Sequence, residues 1–134
     1  MAEHPNVQRI RDAYAAFTAG DLAAGLKDLA PGAVFHFNGE GPLSGDHTGF
    51  DEISAALVGL FELTAGTQKL DISGVFADDR RGVVVLREQA SRPDGATLDV
   101  EEVHVLAIDD QGRITDLWDL PRDPEAHDRF FDGK

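Results

Sequence analysis

The sequence contains no cysteine, so no disulfide staples the chain and no thiolate can act as nucleophile or metal ligand. Cations are also scarce. Twelve Lys and Arg stand against 25 Asp and Glu, a formal charge of −13, and Arg80-Arg81 is the longest basic run. Nucleic-acid binding depends on cations that neutralise phosphates, and an anionic membrane repels such a surface, so neither is an expected partner. No apolar run approaches the roughly 20 residues of a membrane span. The opening Met1-Ala2-Glu3-His4-Pro5 lacks the basic region and apolar stretch of a signal peptide. Together with the missing cysteine, this fits a reducing, cytoplasmic compartment.

What is present describes one globular domain over residues 1–134. Hydrophobic residues make up 42% and charged residues 28%, the balance of a packed domain rather than a disordered chain. From Asn6 to Thr18, Val7, Ile10, Tyr14 and Phe17 recur at helical spacing, and Gly20 supplies the stop. Asp21 caps a second helix carrying Leu22, Leu26 and Leu29, which Pro31-Gly32 ends. A short strand over 33–38 and an irregular Gly- and Pro-rich loop over 39–49 lead into a third helix, Asp51 to Leu63. The period then falls to two. Four strands are predicted over Gln68–Ala77, Gly82–Arg92, Ala96–Ile108 and Arg113–Leu120, separated by turns rich in Asp, Gly and Pro. Asp123-Pro124 opens a last short helix carrying Phe130 and Phe131. Early helices followed by consecutive antiparallel strands define an α+β domain.

The strand over 96–108 is irregular in a useful way. One face reads Leu98, Val100, Glu102, His104, Leu106 and Ile108, so two polar residues sit among large aliphatic ones. A polar group on such a face costs free energy unless it finds a partner, which singles out Glu102 and His104.

Three patterns, in this order, resemble a known superfamily. They are Ala16-Phe17-Thr18-Ala19-Gly20-Asp21, then Val34-Phe35-His36-Phe37 with Pro42-Leu43-Ser44-Gly45 and His47-Thr48-Gly49, then Glu102-Val103-His104-Val105-Leu106 with Gly112-Arg113-Ile114 and Leu117-Trp118-Asp119. The chain is similar to the SnoaL-like and ketosteroid-isomerase-like branch of the nuclear transport factor two-like superfamily. That resemblance implies a curved, mostly antiparallel sheet wrapped on three N-terminal helices. The result is a cone with an apolar interior pocket, and such proteins commonly form homodimers through the outer sheet face. Fold alone names no reaction.

Matching by residue narrows the chemistry. The general-base position of ketosteroid isomerases falls on Phe37, the Tyr position on Ala13 beside Tyr14, and the protonated-Asp position on His104, so that isomerase mechanism is not expected. SnoaL-like cyclases place a His on the penultimate strand and an Asp on the last one, which match His104 and Asp119. A carboxylate beside an imidazole in an apolar pocket could abstract a proton α to a carbonyl and steady the enolate. Strict alternation from Ile114 sends Asp116 inward and Asp119 outward, whereas the family pattern sends Leu117 and Asp119 inward; a β-bulge would reconcile them. Glu102 either orients His104 or pairs with Arg87.

The expected pocket is lined by Tyr14, Phe35, His36, Phe37, Glu102, Leu106, Leu117 and Trp118, with His104 and Asp119 catalytic. Alternation does turn His36 away from Phe35 and Phe37. His47 and His127 read as surface residues. No metal-ligand spacing and no phosphate-binding loop occur, so neither a metal nor a cofactor is expected. The expected partner is a hydrophobic small molecule. The readings are a cyclase- or isomerase-like enzyme, a non-catalytic binder of an apolar ligand, or a dimeric scaffold with a vestigial pocket.

Overall fold

The computed structural model describes residues 3–37, 39, 41 and 43–132, apart from the side chain of Asp132. Asn38, the expected end of the first strand, and Pro42 of the loop motif lie outside the described residues. Helix α1 (Pro5–Thr18) buries Val7, Ile10 and Tyr14 on one face, as their spacing requires. It ends at Gly20, whose φ of 84° is open to glycine at no steric cost. Gly82 explains how closely α1 lies on the sheet, because a Cβ there would stand 2.6 Å from the Ile10 side chain.

The second helix is shorter than its leucines suggest. Asp21 does cap it, accepting from the Ala24 N–H at 3.1 Å, but α2 is a single turn, Leu22–Gly25. The chain is already extended at Leu29, and Pro31-Gly32 lies inside strand β1 (Leu29–Phe37) rather than before it. The pairing of β1 slips between Leu29 and Val34, so the proline sits where no ladder N–H is needed. The loop expected over 39–49 contains an edge strand, β2 (Gly45–Thr48), antiparallel to 34–37. Its sequence, Gly-Asp-His-Thr, is largely exposed and has no apolar alternation to reveal it.

The remaining elements follow the sequence: α3 (Gly49–Leu63), β3 (Lys69–Ala77), β4 (Arg81–Ser91), β5 (Thr97–Ile108), β6 (Ile114–Pro121) and α4 (Pro124–Asp132). The sheet order is β2-β1-β6-β5-β4-β3, and only the β1–β6 pair is parallel. The fold is α+β, with N-terminal helices, a six-stranded and mostly antiparallel sheet, and a short C-terminal helix.

Two apolar clusters hold these layers. Ile10 and Tyr14 of α1 meet Ile53 and Leu57 of α3 and Val84, Leu86 and Leu106 of the sheet. Phe130 and Phe131 of α4 pack on Ala90, Leu98 and Val100 at the other end of β4 and β5. Among the described residues no helix is long and apolar enough to cross a membrane.

Candidate functional site

Between the helices and the inner sheet face lies a cavity of about 130 Å³. For scale, a protein cavity of about 150 Å³ lined by Leu, Ile and Phe holds a benzene ring. Its walls include Phe17, Phe35, Phe37, Leu57, Leu60 and Leu117. Polar groups enter at Tyr14, Ser44, Gln68, Glu88, Glu102, His104, Asp119 and His127.

The strands deliver these groups by alternation. On β5, the register that buries Leu98, Val100 and Leu106 turns Glu102 and His104 the same way. On β4 the inward series is Val84, Leu86, Glu88 and Ala90, all buried. On β6 the question of Asp116 against Asp119 is settled by a bulge: Ala107 pairs with Asp116 but Ile108 pairs with Ile114, leaving Thr115 in excess. Ile114, Leu117 and Asp119 therefore all face the cavity, and Asp116 faces the other side, where it meets His36.

Two residues expected in the pocket are not in its walls. His36 lies on the outer face, with Nδ1 2.8 Å from Asp46 Oδ1 and Nε2 3.0 Å from Asp116 Oδ1. Trp118 stacks flat on it, ring centroids 4.9 Å apart and planes at 6°. The physical reason is pleating: Phe35, Phe37, Leu117 and Asp119 point inward, so the residues between them cannot. Tyr14, Phe35, Phe37, Glu102, His104, Leu106, Leu117 and Asp119 do line the cavity.

His104 is the hinge of the polar end. Its Nδ1 lies 2.5 Å from the Tyr14 hydroxyl oxygen, and its Nε2 lies 3.1 Å from Glu102 Oε2 and 3.3 Å from Asp119 Oδ1. Glu102 therefore partners His104, while Arg87 pairs with Asp99 at 2.5 Å. Burial pushes the His104 imidazole down, but the Tyr14 oxygen, Asp119 and Glu102 outweigh it and hold the ring well above its ordinary value. Burial likewise raises the Tyr14 phenol, which stays neutral. With His104 charged, its Nδ1–H donates to the Tyr14 oxygen, and the phenolic hydrogen is free for a different acceptor.

The sequence missed the other half of this end. His127, read as a surface residue, is 8% exposed and lines the cavity. A signal was present, because His127, Phe130 and Phe131 recur at the i, i+3, i+4 spacing of one helix face. Its Nε2 stands 3.3 Å from Glu102 Oε1, 3.4 Å from Glu88 Oε1 and 3.6 Å from Asp119 Oδ2. Burial alone would lower this imidazole, yet Glu102, Glu88 and Asp119 bring it up to about 10. Glu88 is raised to about 7 by burial and by the neighbouring Glu102, against His127, and Gln68 donates to its Oε2. Glu102 moves the other way: burial opposes its ionisation, but His104, His127 and Glu88 hold it lowered.

A family model described as SnoaL-like domain matches residues 10–117. An uncharacterised protein of Mycobacterium tuberculosis is 30% identical over 132 residues, covering 98% of this chain and 99% of the relative. Among solved structures, Bal32a from a soil-derived mobile gene cassette superposes with a TM-score of 0.87 at 31% identity, covering 94% of this chain and 95% of that one. TerC, co-crystallised with polyporic acid, shares the fold at 22% identity and a TM-score of 0.83, covering 96% and 98%. These define the class as NTF2-like. The chain belongs to the SnoaL-like family within it.

Proposed function

We propose that this protein is a small-molecule enzyme, cyclase- or isomerase-like, that removes a proton α to the carbonyl of a hydrophobic compound held inside a cone-shaped pocket. One observation carries the reading: a cavity with largely apolar walls has Tyr14, His104 and Asp119 together among its polar groups, with His104 2.5 Å from the phenol and 3.3 Å from the carboxylate. A carbonyl directed to that end would accept a hydrogen bond from the Tyr14 hydroxyl. The charged imidazole behind the phenol strengthens that donor as negative charge grows on the substrate oxygen. Asp119, on the same wall, is the base that takes the proton, exchanges it with solvent and returns one to the enolate. The cavity volume limits the buried part of the substrate to about one ring.

The same apolar lining also suits a protein that only holds its ligand. One experiment separates the two. Monocyclic and bicyclic ketones, with polyporic acid as a further probe, are screened by thermal shift, and ketone hits are then incubated in D2O and followed by proton NMR. A catalyst replaces the α-hydrogens with deuterium far faster than buffer does, and Asp119→Asn abolishes the exchange while still binding. Binding without exchange in the wild type sinks the enzymatic reading and leaves the binder.

A further inference from the structure

We propose that Glu88, Glu102 and His127 form a binding site for one divalent transition-metal cation at the end of the cavity, with Asp119 at its open side. This departs from the expectation of a metal-free chain, since β4, β5 and α4 bring together residues whose spacing in sequence resembles no ligand motif. It stands on geometry alone and holds whether or not the cavity is catalytic.

The first argument is distance. A charged imidazole bonded directly to a carboxylate sits about 2.7–2.9 Å from it. Here His127 Nε2 keeps three carboxylate oxygens at 3.3, 3.4 and 3.6 Å. Ligands bound at about 2.0–2.2 Å in a tetrahedron are about 3.3–3.6 Å apart, so the Glu102 and Glu88 oxygens stand from the imidazole nitrogen as two ligands of one ion would, and one ligand atom from each of the three residues lies within 4.8 Å of the others.

The second argument is the unmet polarity. Glu88 and Glu102 are each 3% exposed, and Oε1 of each accepts no hydrogen bond among the described residues, although it faces His127. Their other oxygens are already held, Glu88 Oε2 by Gln68 and Glu102 Oε2 by His104. Such outer partners orient carboxylates that ligate metals. Three carboxylates crowd one imidazole here, an arrangement that a dication satisfies better than a single proton. One nitrogen with oxygen donors, in a buried corner open to a cavity, suits Zn2+ or Mn2+ rather than a soft ion.

The test uses the full chain and Zn2+. Protein stripped with chelator is titrated by calorimetry and dialysed, and the metal it retains is measured by elemental analysis. The expected result is one Zn2+ per chain, with affinity reduced at least about tenfold in Glu88→Gln and in His127→Gln. Failure of the wild type to retain Zn2+, or equal retention by folded variants through the acidic surface, overturns the site. If neither variant folds, crystals grown with Zn2+ decide the matter. An anomalous peak about 2.0–2.2 Å from His127 Nε2 upholds the site, and its absence rejects it. None of these readouts involves turnover, so the site and the enzymatic reading fail separately.

Discussion

His36 shows at the residue scale how a plausible pocket residue becomes a surface one. Its alternation with Phe35 and Phe37 was legible, and the outer face then supplied partners that no local pattern names: Asp46 from β2, Asp116 from β6 and the flat face of Trp118. The hydrogen bond to Asp116 is the largest influence on its imidazole; burial, the next, opposes it, and the bond to Asp46 helps to keep the ring above its ordinary value. A raised native value has a definite sign. The pairing contributes stability below the unfolded value of about 6.5 and loses it as pH rises through the native one. The side chain is 25% exposed, so solvent screens the pair and its share of stability is small. The shift itself is readable. In an NMR titration the His36 ring is expected to titrate above about 6.5 and to fall back towards it in Asp116→Asn. An unchanged midpoint in that variant would show that the contact does not persist in solution.

At the scale of elements, legibility followed the chemistry of the boundaries. β3 to β6 were readable because period two and Asp-Gly turns agree, and α1 because Gly20 ends a clean apolar stripe. β2 was not, because an exposed edge strand of Gly, Asp, His and Thr leaves no periodic trace. The inward turn of Asp119 hangs on one excess residue, Thr115, whose hydroxyl donates to the Ala107 carbonyl and to Asp116; a single strand's pattern records the need for a bulge but not its place. α4 was legible as a helix and not as a wall of the site, since its value depends on the corner of β4 and β5 that it covers. Its anchors are few: His127 against Glu88, Glu102 and Asp119, Phe130 and Phe131 in the second cluster, and Arg92, which reaches the Phe130 carbonyl and lies over its ring at 5.4 Å. A buried Phe→Ala change costs about 3–5 kcal/mol, more than a nine-residue helix can supply on its own. Phe130→Ala is therefore expected to release α4 while the sheet stays folded. Hydrogen-exchange mass spectrometry would show lost protection over 124–132 with β4 and β5 unchanged. Protection retained equally in both would mean that α4 is held by more than this cluster.

The molecule as a whole leaves one face unexplained by its own core. Opposite the cavity, Val83 and Val85 of β4 pair across to Val105 and Val103 of β5, which pair in turn with Trp118 and Leu120 of β6. Phe76, opposite Val83 on β3, is 63% exposed, and Leu120 is 46% exposed. A chain carrying 25 acidic residues has enough charge to cover this face, yet the central strands keep it aliphatic. Continuous apolar surface that a domain's own core does not use marks an interface, and a sheet face suits a two-fold partner because the same rows meet themselves. The expected state at micromolar concentration is a dimer through this face, with each cavity complete in its own chain. Val105→Glu places a carboxylate at the centre of the row, where pairing would bring two like charges together out of water. By analytical ultracentrifugation the wild type is expected to sediment as a dimer and the variant as a folded monomer that still binds the same ligands. A wild type that stays monomeric at tens of micromolar would leave these valines as an exposed face without a partner copy. A variant that still dimerises would move the interface to Phe50 and Val58, the apolar residues that α3 exposes on the other side of the domain.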